Sequence, residues 1–437
     1  MKFIADFHIH SKYSRATSRD MDVGHLDKWA KIKGINVLGT GDFTHPLWLK
    51  ELKENLEPAE PGLYKIKNQS ASRRTKIKNN IEWYLPEINQ ENHTRFILTA
   101  EISCIYSKNN RTRKIHLIIF APSFEVVEKI NTHLGWIGNL KSDGRPILGL
   151  DAKELLKIVL SISQDCLVVP GHAWTPWFSI FGSNSGFNSI EECFDQYSKY
   201  IYSIETGLSS DPAMNWRLSK LDKITLISNS DAHSAQKIGR EANVFETDLS
   251  YYPILEIIKS KNQEKFLYTI EFFPEEGKYH YDGHRKCGIV FDPQETKKYK
   301  GICPKCGRSL TIGVMSRVEE LADRSIGQKP KNVIPFKNLI PLEQIIAEAF
   351  NMTVGSKAVQ LEYKNLINRF GNEFKVLLDA SQKELEQVSS SEVAEGIVRV
   401  RENKVKIEPG YDGEYGKIKI FEDSERGNFS RQTSLFK

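Results

Sequence analysis

The chain has little cysteine: six in 437 residues. A disulfide-stapled scaffold of this length would need more, so the sparse thiols point to a reducing, cytoplasmic compartment. Long apolar runs are missing as well. Nowhere do about 18 apolar residues follow one another, which excludes a membrane-spanning helix and with it a membrane partner. The apolar start Met1-Lys-Phe-Ile-Ala is broken by Asp6, so it does not read as a signal peptide. Neither sign of charge dominates. With 61 Lys and Arg against 56 Asp and Glu the net charge is +5, and any surface for a polyanion must be local. A G-x-x-x-x-G-K-[ST] loop is also lacking, which argues against ATP-driven chemistry.

What is present describes a globular protein: 40% hydrophobic and 27% charged residues, with length for two or three domains at roughly 150 residues each. The first part of the chain repeats a β-branched run followed by a helical stretch. Candidate strands are Phe3–His10, Asn36–Asp42, Arg95–Ser103, Lys114–Ala121, Cys166–Ala173, Tyr200–Thr206 and Ile224–Ser230. Helical patterns over Val23–Lys33, Ala152–Ser163 and Ile254–Lys261 separate several of them, which predicts α/β structure with parallel strands. Seven such strands suit a closed or nearly closed barrel better than an open sheet. Between the second and third, Lys65, Lys67, Arg73, Arg74, Lys76 and Lys78 form a basic insertion (about 60–94), read either as a solvated loop or as a phosphate contact. Arg111, Arg113 and Lys114 raise the same two options. From about residue 275 the pattern changes to a Tyr/His/Gly/Cys stretch, then to amphipathic helices at Pro341–Phe350, Ser356–Phe370 and roughly Ser391–Glu402. The expected division is 1–274, 275–315, 316–425 and a flexible tail 426–437.

The chemistry gathers at strand ends. His8 and His10 are two apart on a strand and so face the same side. Asp42 closes the second strand, Glu101 lies on the third, His116 on the fourth, and His172 ends the fifth. Asp231 and His233 follow the seventh. Five of the eleven histidines in the chain fall in this set. Imidazoles mixed with carboxylates suit Zn²⁺, Mn²⁺ or Fe²⁺, and a set this large suits two or three divalent ions, with Mg²⁺ a further option. The alternative is a group of buried polar residues, each with its own hydrogen-bond partner.

His8-x-His10, Ser230-Asp-Ala-His233 and the intervening Glu101, His116 and His172 resemble the PHP superfamily of metal-dependent phosphoesterases over about residues 1–270. That resemblance implies a distorted seven-stranded β/α barrel. The second PHP motif often reads Thr-Asp-His, whereas here it is Thr40-Gly-Asp42 with His45 beyond; Asp42 is favoured as the ligand. Gly171-His-Ala-Trp-Thr-Pro-Trp177, Leu208-Ser-Ser-Asp211, Ser228-Asn-Ser-Asp-Ala-His233 and Gly239-Arg-Glu241 resemble the endonuclease Q family over the whole chain. This implies a DNA repair nuclease cutting 5′ to uracil, hypoxanthine, xanthine and abasic sites. Bound metals would lower the pKa of a water to about 7 and clamp the phosphate, leaving 3′-hydroxyl and 5′-phosphate ends.

A second, independent metal site reads from Cys303-Pro-Lys-Cys306, a turn that aims two thiolates at one ion, paired with His284-Arg-Lys-Cys287. Four ligands predict one structural Zn²⁺; His280 is the less favoured fourth ligand, and redox thiols are the alternative. Trp174, Trp177 and Phe178 follow His172 and are candidates to stack on a flipped base, with core packing as the other option. Arg240 is a further substrate-binding candidate. Arg399, Arg401 and Lys404, before the Gly-rich stretch Pro409–Gly416, could grip the DNA backbone, or that stretch is a simple turn. The terminal Gln432-Thr-Ser-Leu435-Phe436 resembles a bacterial sliding-clamp-binding peptide, and a monomer working with a clamp is expected. The competing functions are a PHP-type small-molecule phosphatase and a non-catalytic DNA- or clamp-binding adaptor.

Overall fold

The structure, a computed structural model, describes residues 1–67, 94–422 and 425. The strand Lys2–Asp6 is buried at four of its five residues, as expected of an apolar run covered on both faces of a sheet. It lies inside an eleven-stranded mixed sheet. Val37–Gly39 runs parallel to it and Ala242–Glu246 antiparallel. Arg95–Lys108 then pairs parallel to Val37–Gly39, Arg111–Ala121 antiparallel to Arg95–Lys108, and Leu167–Pro170 antiparallel to Arg111–Ala121. Ser203–Glu205 and Thr225–Ile227 form a separate parallel pair. It is tied to the large sheet on both flanks, by the Ala173 N–H donating to the Glu205 carbonyl (2.9 Å) and the His10 N–H donating to the Ala232 carbonyl (3.0 Å).

The expectation of parallel strands is corrected at the long hairpin. Only Asn109 and Asn110 join Arg95–Lys108 to Arg111–Ala121, both left-handed at φ 56° and 57°. Asparagine tolerates this conformation, and so tight a turn leaves no room for the crossover helix that parallel strands need. The strand count is also exceeded. Phe266–Glu271 and Phe336–Asn338 extend the sheet beyond Ala242–Glu246, and Leu63–Ile66 with Leu56–Pro58 add a hairpin beside Arg95–Lys108.

Helices cover the sheet where the sequence supplies caps. Asp22 accepts from the His25 N–H to start Val23–Lys33, and Gly34 at φ 89° stops it. Ala152–Ile162 begins at Asp151, whose side chain accepts from the Lys153 N–H. In the C-terminal part, Leu342–Ala349, Lys357–Phe370 and Ser391–Arg401 bury Ile345, Leu366 and Ile397 in the same continuous core as the sheet. Among the links that bind this part to the rest are the strand Phe336–Asn338, the buried Lys33–Glu373 pair at 2.6 Å, and buried Arg317, which donates to the carbonyls of Phe181 and Phe187. Among the described residues no helix is long and apolar enough to cross a membrane.

Candidate active site

His8 and His10 follow the end of Lys2–Asp6, where the Phe7 N–H donates to Asn229 Oδ1 (2.9 Å) and Ile9 bridges Ala232. Both imidazoles then face buried Glu101. Glu101 Oε1 lies 2.7 Å from His116 Nδ1 and 3.0 Å from His172 Nε2. Its Oε2 lies 3.3 Å from His10 Nε2 and 3.6 Å from His8 Nε2. Asp231 Oδ1 is 3.0 Å from His10 Nε2 and 3.8 Å from His233 Nδ1. Three donor groups result, each with ligand atoms within 4.8 Å of one another: His8/His10/Glu101, His10/Asp231/His233 and Glu101/His116/His172. They overlap at His10 and Glu101, as a site for adjacent cations requires.

The far side of the rings is held as well. His8 Nδ1 is 3.0 Å from Glu205 Oε1, His10 Nδ1 is 3.0 Å from Asp42 Oδ1, and His172 Nδ1 is 2.9 Å from Thr175 Oγ1. Such contacts fix ring orientation and aim the other nitrogen at a metal. Asp42, expected as a ligand, stands here in such an orienting contact. It lies outside the three groups, and its Oδ2 accepts from the Ser11 N–H (2.6 Å) and from the hydroxyls of Ser11 and Ser14. His45 also lies outside the three groups, with its ring stacked on Tyr13 at 4.4 Å. Glu205 was not anticipated. It also accepts from the His172 N–H (2.7 Å) and the Asn229 amide (2.9 Å), and its one sequence signal is that it ends a strand.

Burial favours neutral groups here, but the opposed charges outweigh it. The Glu101 carboxyl is pushed up by burial, yet His116, Arg145 and His8 hold it well below the ordinary range. Burial opposes the charged rings of His8 and His10, yet Glu205 for the one and Asp42 for the other raise them well above an ordinary imidazole. His116 goes the other way, lowered to about 4 by burial despite Glu101. His8 Nε2 is buried with no hydrogen-bond partner although its ring is anchored from behind. An orphaned imidazole nitrogen beside shared carboxylate oxygens fits a divalent cation, and the N/O donor set fits Zn²⁺ or Mn²⁺.

The backbone is strained where it presents these groups. Asp42, His172 and Asp231 have φ of 49°, 29° and 47°, each just past a strand end. Gly144 seals the Asp42 side, since a Cβ there would lie 2.2 Å from Asp42 Oδ2 and 2.3 Å from Ser14 Oγ. Next to it, Arg145 places its NH1 3.0 Å from Glu101 Oε2, another residue that sequence reasoning missed, because a lone loop arginine carries no spacing signal.

The aromatic candidates divide. Trp174 is corrected to a core residue: it is 1% exposed, donates to Asn215 Oδ1 (2.8 Å) and packs on Phe181. Trp177 is 46% exposed and meets Tyr279 edge-on. Phe178, at φ 61°, lies 4.8 Å from the His116 ring and is half-buried. Arg240 donates to the carbonyls of Ser230 and Asp231, bracing the ligand loop. Three basic residues weighed for phosphate are committed elsewhere. Arg113 is buried against Phe187 and the Gly186 carbonyl, Arg399 is paired with Glu395 and Glu425, and Arg401 donates to the carbonyls of Val376, Leu377 and Ala380. The Gly-rich stretch is a structural turn, with Gly410 and Gly416 pressed against the carbonyls of Gly277 and Glu275. Most of the basic insertion (68–93) and the tail with Gln432, Leu435 and Phe436 lie outside the described residues.

Elsewhere, His284, Cys287, Cys303 and Cys306 form a fourth group of donors within 4.8 Å, with Cys306 Sγ 3.3 Å from His284 Nδ1. His280 is not part of it; that ring is buried and its pKa is lowered to about 4 by desolvation. Burial would raise the Cys303 thiol, but the N–H groups of Lys305 and Cys306 bring it down to about 6, which favours the thiolate that a metal binds.

Residues 341–404 match the family described as the MJ0043 C-terminal domain. "Uncharacterized protein MJ0043" of Methanocaldococcus jannaschii is 38% identical over 254 residues, which is 56% of this chain and 31% of that relative, so the chain spans about a third of its length. The crystal structure of the lesion-specific endonuclease PfuEndoQ from Pyrococcus furiosus is similar at a TM-score of 0.82 and 32% identity, over 97% of this chain and 96% of that one. An endonuclease Q complex with a 27-mer duplex carrying an abasic lesion at its active site gives a TM-score of 0.80 at 32% identity, over 97% and 98% of the two chains. With a mixed α/β fold, donor groups gathered at one mouth and likeness over nearly its whole length, the chain belongs to the endonuclease Q family of DNA-cleaving hydrolases.

Proposed function

We propose that the chain is a metal-dependent DNA repair endonuclease that hydrolyses the phosphodiester 5′ to uracil, hypoxanthine, xanthine or an abasic site, leaving 3′-hydroxyl and 5′-phosphate ends. The observation that carries it is Glu101, buried and shared between donor groups on both sides, in a chain so similar to a lesion-specific endonuclease. On this reading Lys2–Asp6, Val37–Gly39, Arg95–Lys108, Arg111–Ala121, Leu167–Pro170, Ser203–Glu205 and Thr225–Ile227 form a distorted barrel, followed by a zinc module, a helical DNA-binding part and a tail. His8, His10, Glu101, His116, His172, Asp231 and His233 hold two or three divalent ions, Zn²⁺ with Mg²⁺ or Mn²⁺ as alternatives. Asp42 and Glu205 aim the rings. When bound, the ions supply a water of lowered pKa and neutralise the anionic phosphate.

The residues around them do the rest. Arg240 keeps Asp231 in place through two backbone carbonyls. Thr175 fixes His172, whose backbone N–H is itself held by Glu205. Trp177, exposed, and Phe178, against the His116 ring, are the residues on the loop after His172 that would stack on an extrahelical base. A deaminated base presents a carbonyl in place of an amine, and extrusion costs least at a mispair, so damage is favoured before any contact is made. His284, Cys287, Cys303 and Cys306 hold one structural Zn²⁺, and Gln432, Leu435 and Phe436 bind the sliding clamp; deleting 431–437 should abolish clamp pull-down. The protein acts as a monomer in the cytoplasm.

Labelled duplexes bearing each lesion, incubated with each metal and mapped to the nucleotide, test the proposal. Cuts 5′ to the lesion are expected. Turnover of p-nitrophenyl phosphate with all duplexes intact would replace it with the phosphatase reading.

A further inference from the structure

Arg145 is the permanent cation set against the carboxylate that joins the donor groups. Its NH1 lies 3.0 Å from Glu101 Oε2, the same oxygen that lies 3.3 Å from His10 Nε2 and 3.6 Å from His8 Nε2. A cation held by His8, His10 and Glu101 would therefore compete with Arg145 for that oxygen. The guanidinium would not be free to leave. Its loop is pinned by Asp143 Oδ1, which accepts from the Arg145 N–H (3.1 Å), by the Gly144 N–H on the Tyr13 carbonyl (3.0 Å), and by the closeness of Gly144 to Asp42 and Ser14. The side chain is 27% exposed, so a substrate arriving from solvent can reach it. The other charged groups gathered there are carboxylates and histidines, and Arg240 is turned to backbone carbonyls.

We propose that Arg145 grips the scissile phosphate directly, donating to its non-bridging oxygens and stabilising the charge that builds on them as the P–O bond breaks. This rests on the endonuclease reading above. A guanidinium suits the role better than an ammonium because its rigid, planar fork meets two oxygens of one phosphate at once. Because the loop fixes its position beforehand, the donors need little reorganisation when charge develops.

The test uses the full-length, metal-loaded protein and the variants Arg145→Gln and Arg145→Lys. Bound metal is measured by mass spectrometry, and single-turnover cleavage is followed on a lesion duplex. Binding is compared on two cleavage-resistant duplexes, one with a neutral methylphosphonate and one with a charged phosphorodithioate at the scissile position. Arg145→Gln should keep its metal and its melting temperature, lose about 100-fold or more in rate, and bind the charged duplex about tenfold more weakly than wild type. On the neutral duplex the two proteins should bind alike. Arg145→Lys should recover part of the rate, since the charge remains and the fork is lost. Loss of metal together with rate, in both variants, would make Arg145 a holder of Glu101 and overturn the proposal, as would an equal loss of affinity on both duplexes. If the wild-type protein cuts no lesion duplex, the endonuclease reading falls, while the paired binding difference still reports on Arg145.

Discussion

The two groups of candidate metal ligands are built on opposite plans. The mouth of the sheet collects nitrogen and oxygen donors from strands and strand ends far apart in sequence, orients His8, His10 and His172 from behind, and leaves His8 Nε2 without a partner. The His284/Cys287/Cys303/Cys306 group takes three sulfurs and one nitrogen from two short neighbouring turns, enough to close a tetrahedron. Open, shared and oriented donors suit chemistry on a substrate. A closed set suits folding of a segment whose own buried cluster is no more than Phe291, Cys303 and Leu310.

The contrast can be broken first at the mouth. Asp231→Asn and His8→Ala should each lower cleavage by roughly a thousandfold or more while the melting curve stays, since both remove a donor rather than packing; persistent turnover would put the chemistry elsewhere. One step back, Glu205→Gln should weaken active-site metal binding by about 10–100-fold, recoverable with excess metal, because it loosens His8 and the His172 loop without removing a ligand. Zinc titration followed by cleavage gives the comparison. Acidity should act on both sites next. His8 and His10 hold their protons to higher pH than ordinary imidazoles, so protons compete with metal there, and cleavage should rise up to about tenfold per pH unit above neutrality. In the second group the Cys303 thiol is held down to about 6 but Cys287 beside it is pushed up to about 11, so acid should strip that ion too, with the loss read in the melting curve. A melting temperature unchanged on acidification and chelation would remove the structural ion from that group. Smallest in rate, Cys303→Ser should leave cleavage at 25 °C within about twofold yet lower the melting temperature by about 5 °C or more, the signature of a structural ion.

Glu101 and His116 sit inside the two strands of the long hairpin, whereas the sequence made most of the candidate ligands legible because they stand at or just past the end of an apolar run. The motifs His8-x-His10 and Asp231-x-His233 carry that geometry in their spacing. Glu205 was hidden because a single glutamate ending a strand looks like any buried carboxylate until its partners are known. Orienting and ligating carboxylates occupy the same kind of position, so the sequence alone does not separate the two roles for Asp42; its hydrogen bonds from Ser11 and Ser14 favour the orienting one. Trp174 and Trp177 share one motif and differ only in which way a folded loop turns them. The hairpin direction was readable from Asn109-Asn110, but the sheet extensions were not, since Phe336–Asn338 joins from more than sixty residues beyond its partner strand.

The left-handed backbones at Asp42, His172 and Asp231 carry one more implication. Each such conformation costs about 1–3 kcal/mol in a residue that bears a Cβ, and glycine would relieve it. Variants selected for heat resistance alone should therefore drift toward glycine at these three places and emerge sturdier but inert, so any search for a more durable form of this protein has to screen for turnover from its first round.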